Sequence, residues 1–266
     1  RTAALELPEQ GVMLSSTLEH PASMSAMKKW AKNTKRDHII VEHNDESGSI
    51  DEQAYMKKLS SDVRVVSIVH TSPVTGMTVD LEKITKEVRN VTPDCIIIVD
   101  GIQHSSHGAI DVQKYDIDGY VVSPYKMFSR HGYGVAWASD RLCTLNKEQL
   151  VDGPSQNWEL GTRDAGSYAT FSDVVDYLDW LGSNFTDSEN IRERLKASSL
   201  AIKSHEQELV NLVLNGTEDI TGLIDNREIQ IIGTSDSKFR EGVVSFFQKN
   251  KPSSIIVEEL RQRKIR

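Results

Sequence analysis

A carboxylate and a primary amine stand at consecutive strand ends in the stretch 97–134. Asp100 closes the apolar run Cys95-Ile96-Ile97-Ile98-Val99, and Lys126 follows the apolar run Tyr120-Val121-Val122 after a Ser-Pro-Tyr turn. In an open parallel sheet, ligands bind beyond the carboxyl ends of the strands, so the two groups would flank one crevice. An amine there can form an imine with an aldehyde. A carboxylate can keep a pyridine nitrogen protonated so that the ring withdraws electrons. Together these are the two groups that pyridoxal phosphate requires.

The elements that must position these groups read as alternating strands and helices. Val63 to His70 is rich in β-branched residues and predicts a buried strand, Asp80 to Val88 has helical apolar spacing, and Cys95 to Val99 predicts the next strand. Such alternation implies an α/β fold: a doubly wound, mainly parallel sheet with helices on both faces and right-handed crossovers. Asp173 to Leu181 and Ile191 to Leu214 read as further helices, followed by strands near Gln230-Ile231-Ile232 and Val243 to Phe247. A boundary near Asn184 to Asn190 divides the chain into a large domain, 1–186, and a smaller C-terminal α+β domain, 187–266. Both ends read as cut, the chain opening on Arg1 and stopping at Arg266.

With 266 residues and 38% hydrophobic content the chain can bury a sizeable core. Its only cysteines, Cys95 and Cys143, fit a reducing compartment better than a disulfide framework. No apolar run is long enough for a bilayer and no signal-peptide pattern opens the chain, so a cytoplasmic location is expected. The net charge of −8 argues against a dominant nucleic-acid surface. His104, His107 and His131 lack the companion ligands of a zinc site and read as loop histidines; no metal is expected.

Four motifs, in order, resemble the class V aminotransferase family of fold type I pyridoxal-phosphate enzymes, on its cysteine desulfurase and selenocysteine lyase side. They are Glu19-His20, the strand end His70-Thr71-Ser72-Pro73-Val74-Thr75-Gly76, the pair Asp100-Gly101-Ile102-Gln103 and Ser123-Pro124-Tyr125-Lys126, and Trp158-Glu159-Leu160-Gly161-Thr162. The resemblance runs from about Thr17 to Phe247 and makes the large domain the cofactor-binding one. It implies that Lys126 forms the imine and moves the Cα proton, that Asp100 holds the ring nitrogen, and that Gln103 bonds the phenolic oxygen. It further implies that His20 stacks on the ring, that Ser123 and Tyr125 reach the phosphate, and that Thr2 belongs to a small-residue turn opening a phosphate-binding helix. Thr162 would complete the phosphate site of a neighbouring subunit in a homodimer with shared sites, and Arg163 would bind a substrate carboxylate. Two positions depart from the family pattern: Tyr125 replaces a histidine, and Pro73 stands where many relatives carry asparagine.

The implied reaction is lyase chemistry of the cysteine desulfurase type on a small amino acid, with transamination or epimerisation as alternatives. The cysteine that desulfuration normally uses lies on a C-terminal loop, and neither Cys95 nor Cys143 matches it. Each residue also has a plainer reading: a solvated lysine, an Asp-Gly turn, a helix-start histidine, a threonine cap. A non-catalytic α/β binding module remains a second class. A nucleotide-dependent dehydrogenase would need a glycine-rich turn after its first strand, and none is visible. Ser123 and Lys126 also fit a Ser-x-x-Lys pattern, but the serine there opens a helix, whereas Pro124 after a β-run marks a strand exit.

Overall fold

The computed structural model describes residues 1–7, 10–155, 157–162, 164–236 and 239–265. In chain order the elements are α1 (Thr2–Glu6), β1 (Val12–Ser16), α2 (Pro21–Asn33), β2 (Asp37–Val41), α3 (Glu52–Met56), β3 (Val63–Val69), α4 (Leu81–Val91) and β4 (Ile96–Asp100). There follow β5 (Gly119–Val122), β6 (Val135–Ala138), α5 (Asp140–Cys143), α6 (Ala165–Gly182), α7 (Ile191–Asn215), β7 (Ile229–Ile231), β8 (Phe246–Gln248) and α8 (Ser253–Gln262).

Strands β1 to β5 pair in parallel and β6 runs antiparallel at the edge, in the order β2-β1-β3-β4-β5-β6. Because side chains alternate across a strand, the central strands feed two cores. Leu14, Val66, Ile68, Ile97 and Val99 pack with Tyr55 of α3 and Leu81, Ile84 and Val88 of α4. Met13, Val65 and Ile96 pack on the other face with Ala3 and Ala4 of α1, Met27 and Ala31 of α2, and Leu142 of α5. Strands buried on both faces read as continuous apolar runs, which is why β3 and β4 stand out in the sequence. Helix α4 starts where Asp80 accepts from Lys83 N.

The chain runs outward from β1 to β2 and then returns to place β3 on the other side of β1, so the crevice at the switch point opens at the carboxyl ends of the strands.

Beyond the sheet, α6 begins at Ala165, earlier than the expected Asp173, because the Asp164 carboxylate caps it by accepting from Ser167 N. Helices α6 and α7 pack together, with Arg194 bonded to Asp179 at 2.7 Å. The strand expected over 243–247 is paired only as Phe246–Gln248. The Val243 carbonyl instead accepts from the buried Arg240 guanidinium, which also donates to the carbonyls of Thr75, Ile232 and Thr234. Among the described residues no helix is long and apolar enough to cross a membrane.

Candidate active site

Four strand ends supply the site. β1 runs into Glu19 and His20, β3 into Thr71 and Pro73, β4 ends on Asp100, and β5 leads through Ser123 to Lys126. His20, Ser23, Asp100, Gln103, Ser123, Tyr125 and Lys126 line one cavity of about 190 Å³, with Thr71 and Pro73 on its wall. Six of the residues expected from sequence to bind a cofactor therefore converge: Lys126, Asp100, Gln103, His20, Ser123 and Tyr125.

Asp100 is set by its neighbours in two ways. Its Oδ1 accepts from Ile102 N at 3.1 Å and its Oδ2 from Ser23 Oγ at 3.0 Å. Gly101 is required at the next position, since a Cβ there would lie 2.1 Å from the Tyr120 ring. A one-turn segment over Pro124–Lys126, closed by Lys126 N donating to the Ser123 carbonyl, brings Lys126 back over the crevice, where Nζ donates to Gln103 Oε1 at 2.7 Å. His20 caps α2 by accepting from Ala22 N at 3.1 Å. The plain reading as a helix-start residue and the functional one coexist, because the cap fixes the ring at the cavity edge. The Tyr125 ring stacks on His131 with centroids 4.3 Å apart.

A polar layer below the cavity escaped the sequence reading. His70 and His104 stack at 3.6 Å, and His70 Nδ1 lies 2.8 Å from the Tyr120 hydroxyl. Burial, with the nearby charges of His104 and Lys203, holds the His70 pKa well below that of a free imidazole, so the ring is neutral. His104 Nδ1 pairs at 2.6 Å with Glu241, a buried carboxylate with no well-directed hydrogen bond on either oxygen. His107 Nδ1 lies 2.6 Å from Glu206 of α7, and His107 Nε2 lies 3.0 Å from Gln103 Nε2. The two supposed loop histidines thus tie the Gln103 turn to the C-terminal part of the chain. Glu19, next to His20, is buried and accepts from Ser16, Ser67 and Val69 N. Burial raises its pKa to about 7, with the charge of Asp100 adding and the three donors opposing.

Comparison with known proteins gives the family of the chain. The family model "Aminotransferase class-V" matches residues 2–266. The chain belongs to the class V aminotransferase family. Among class V relatives, it is 28% identical over 135 residues to a probable cysteine desulfurase of Mycoplasma genitalium, a match covering 51% of this chain and 33% of the relative. It is 25% identical over 263 residues to the aminotransferase-like protein FGM3 of Gibberella zeae, covering 96% and 60%. Of solved structures, the cysteine desulfurase CsdA of Escherichia coli superposes with TM-score 0.76 at 20% identity, covering 99% of this chain and 63% of that one. The apo cysteine desulfurase of Thermococcus onnurineus gives TM-score 0.77 at 20% identity, covering 99% and 64%. These structures establish the shared fold, a mostly parallel sheet with flanking helices. The chain spans between a third and 60% of the length of the first two curated relatives.

Three residues expected from the class V resemblance are placed apart from the cavity or are not placed. Thr2 opens α1 and lines a neighbouring cavity of about 340 Å³, which shares Ser23 with the first. Thr162 is exposed, ahead of α6. Arg163 lies outside the described residues.

Proposed function

We propose that this chain carries the cofactor-binding part of a pyridoxal-phosphate-dependent enzyme acting on an amino acid, with lyase chemistry of the cysteine desulfurase type. The observation that carries the reading is the convergence of Lys126 and Asp100 on one cavity, with Gln103 hydrogen-bonded to Lys126 Nζ. The donor set fits the cofactor: an amine for its aldehyde, a carboxylate for its ring nitrogen, and hydroxyls of Ser123 and Tyr125 for its phosphate. When bound, the cofactor supplies an electron-withdrawing ring that stabilises a negative charge on the substrate Cα.

The chain's own residues do the rest. Lys126 Nζ would hold the cofactor through its aldehyde, and its free amine would take the proton from the substrate Cα. Asp100 holds a proton on the ring nitrogen, and Ser23 with Ile102 N orients its carboxylate. The His20 ring at the cavity edge supplies a flat face for the pyridine. Relatives named cysteine desulfurase support the choice of lyase chemistry.

The exposed position of Thr162 is compatible with a homodimer in which Thr162 completes the partner subunit's phosphate site, and Arg163 is the proposed anchor for a substrate carboxylate. We retain the division into domains 1–186 and 187–266. The two unpaired thiols, Cys95 and Cys143, support a cytoplasmic setting.

Borohydride reduction of cofactor-saturated protein, followed by peptide mapping, is expected to leave a pyridoxyl group on Lys126, and Lys126→Ala is expected to abolish it. A label elsewhere, or none, overturns the assignment. A panel of amino acids then sets the reaction. Release of sulfide or another β-substituent supports the lyase, stoichiometric conversion to the pyridoxamine form establishes an aminotransferase, and α-proton exchange without product an epimerase.

A further inference from the structure

Gln103 stands between two groups that decide which way its amide points. Oε1 accepts from Lys126 Nζ at 2.7 Å, and Nε2 lies 3.0 Å from His107 Nε2. An amide NH2 only donates, so His107 Nε2 must offer a lone pair. The other ring nitrogen lies 2.6 Å from Glu206 Oε2, and a carboxylate only accepts, so Nδ1 carries the hydrogen. With the amide turned this way His107 is neutral, and donation runs in one direction from Lys126 through Gln103 and His107 to Glu206.

Pyridoxal phosphate on Lys126 reverses the demand on the amide. Its phenolic oxygen is on the ring carbon next to the one that bears the aldehyde. The side chain in contact with Lys126 Nζ is therefore the one that meets that oxygen. A phenolate accepts hydrogen bonds, so Gln103 must turn its NH2 toward it and its Oε1 toward His107. A carbonyl facing Nε2 needs a hydrogen there, while Nδ1–H stays committed to Glu206.

We propose that loading the cofactor flips the Gln103 amide and puts a proton on His107, with Glu206 as the counter-charge that stabilises the imidazolium. His107 and Glu206 are then positioning residues acting through Gln103, an inference that rests on the cofactor reading above.

The surroundings agree. Burial opposes charge on His107, but the bond to Glu206 and the charges of Glu206 and Glu241 outweigh it, against Lys126, and hold its pKa above that of a free imidazole. Glu241 approaches from the stretch preceding Gly242, where a Cβ would lie 3.4 Å from both His107 and Glu206. His104, in the same turn, lies 2.6 Å from Glu241 through Nδ1, which is also 3.2 Å from Thr71 Oγ1.

The test titrates the full chain, stripped of cofactor, with pyridoxal phosphate at about pH 8. Calorimetry in two buffers that lack primary amines and differ in protonation enthalpy counts the protons, while absorbance follows the bound cofactor. Wild type is expected to take up as much as about one more proton per cofactor than His107→Asn or Glu206→Gln. Its affinity is expected to fall with rising pH more steeply than theirs, approaching about tenfold per pH unit. Asparagine keeps a donor toward Gln103 but does not titrate, so His107→Asn is expected to bind with a flatter profile. Glu206, a quarter exposed on α7, gives an independent comparison should the first variant misfold, and thermal melts verify both. Equal proton counts and parallel profiles in all three proteins overturn the inference alone. Failure of wild type to bind the cofactor overturns the cofactor reading and this inference with it.

Discussion

Two Asp-Gly pairs lie at opposite ends of neighbouring strands: Asp100-Gly101 ends β4, and Asp118-Gly119 opens β5. The Asp118 carboxylate is buried and crowded. It accepts from Arg89 Nη2 at 2.7 Å, Ile97 N at 2.9 Å and Ser139 Oγ at 2.9 Å, and lies 3.4 Å from Arg141. The Asp100 oxygens accept from Ile102 N and Ser23 Oγ and line the cavity beside Lys126. A carboxylate offers about four acceptor directions, so Asp118 is close to saturated and Asp100 keeps capacity facing the cavity. The same dipeptide fastens the sheet at the amino ends of its strands and lines the candidate cavity at the carboxyl ends.

The comparison breaks most visibly on the structural side. Asp118→Ala leaves the Arg89 guanidinium, itself largely buried, with only the more distant and exposed Asp116 carboxylate at 3.5 Å, and is expected to cost about 3 kcal/mol of stability. A denaturant midpoint measures it. Cofactor capture by the folded fraction is expected to persist; a variant as stable as wild type would show that the Asp118 cluster is not the fastening point.

Glu19 sets up the next effect, at the functional end. Its pKa rises from 4.5 unfolded to about 7 folded, so the native state holds the extra proton between those values. The stability it contributes is fully present below pH 4.5 and is lost as pH rises through about 7, a change on the order of 3 kcal/mol. Glutamine can keep bonds to Ser16, Ser67 and Val69 N without ionising. Glu19→Gln is therefore expected to match wild type near pH 5 and exceed it near pH 8. Parallel stability profiles for the two proteins would refute the shifted ionisation.

What the sequence reveals follows the same division. Asp100 ends a strand and Lys126, Gln103, His20, Ser123 and Tyr125 each follow one within a few residues, and an apolar, β-branched run announces a strand locally. The partners of His104 and His107 carry no such signal. Glu206 sits in the polar stretch Ser204-His205-Glu206-Gln207-Glu208 of α7, 99 residues from His107, and resembles any solvated helix position. Arg240 likewise reads as a surface arginine, yet it is fully buried and fastens the turn after β3 to the C-terminal stretch. That turn brings Gly76 to φ +73°, where a Cβ would lie 2.4 Å from the Val243 carbonyl. Such contacts depend on the folded topology, so local pattern misses them.

Asp100→Ala tests the functional half of the pair. The variant is expected to keep its fold and still attach the cofactor to Lys126, but to lose on the order of 100-fold in turnover, because one electrostatic stabiliser of the developing charge is gone. Near-normal turnover would reject the contrast with Asp118.

Ser23 gives the smallest and most specific effect. Its hydroxyl donates to Asp100 Oδ2 at 3.0 Å from the first turn of α2, just after the His20 cap, so it touches the carboxylate without reaching Lys126. Removing one hydrogen bond to a charged group is worth about 1.5–3 kcal/mol, but Asp100 keeps its bond to Ile102 N and can turn toward the cofactor ring, which offsets part of the loss. Ser23→Ala is therefore expected to lower turnover about three- to tenfold while leaving covalent capture by Lys126 intact. Ser23→Thr, which preserves the hydroxyl, is expected to restore most of it. A drop in capture itself would mean that Ser23 shapes the cavity wall, while wild-type turnover in Ser23→Ala would mean that Ile102 N alone is enough to hold Asp100.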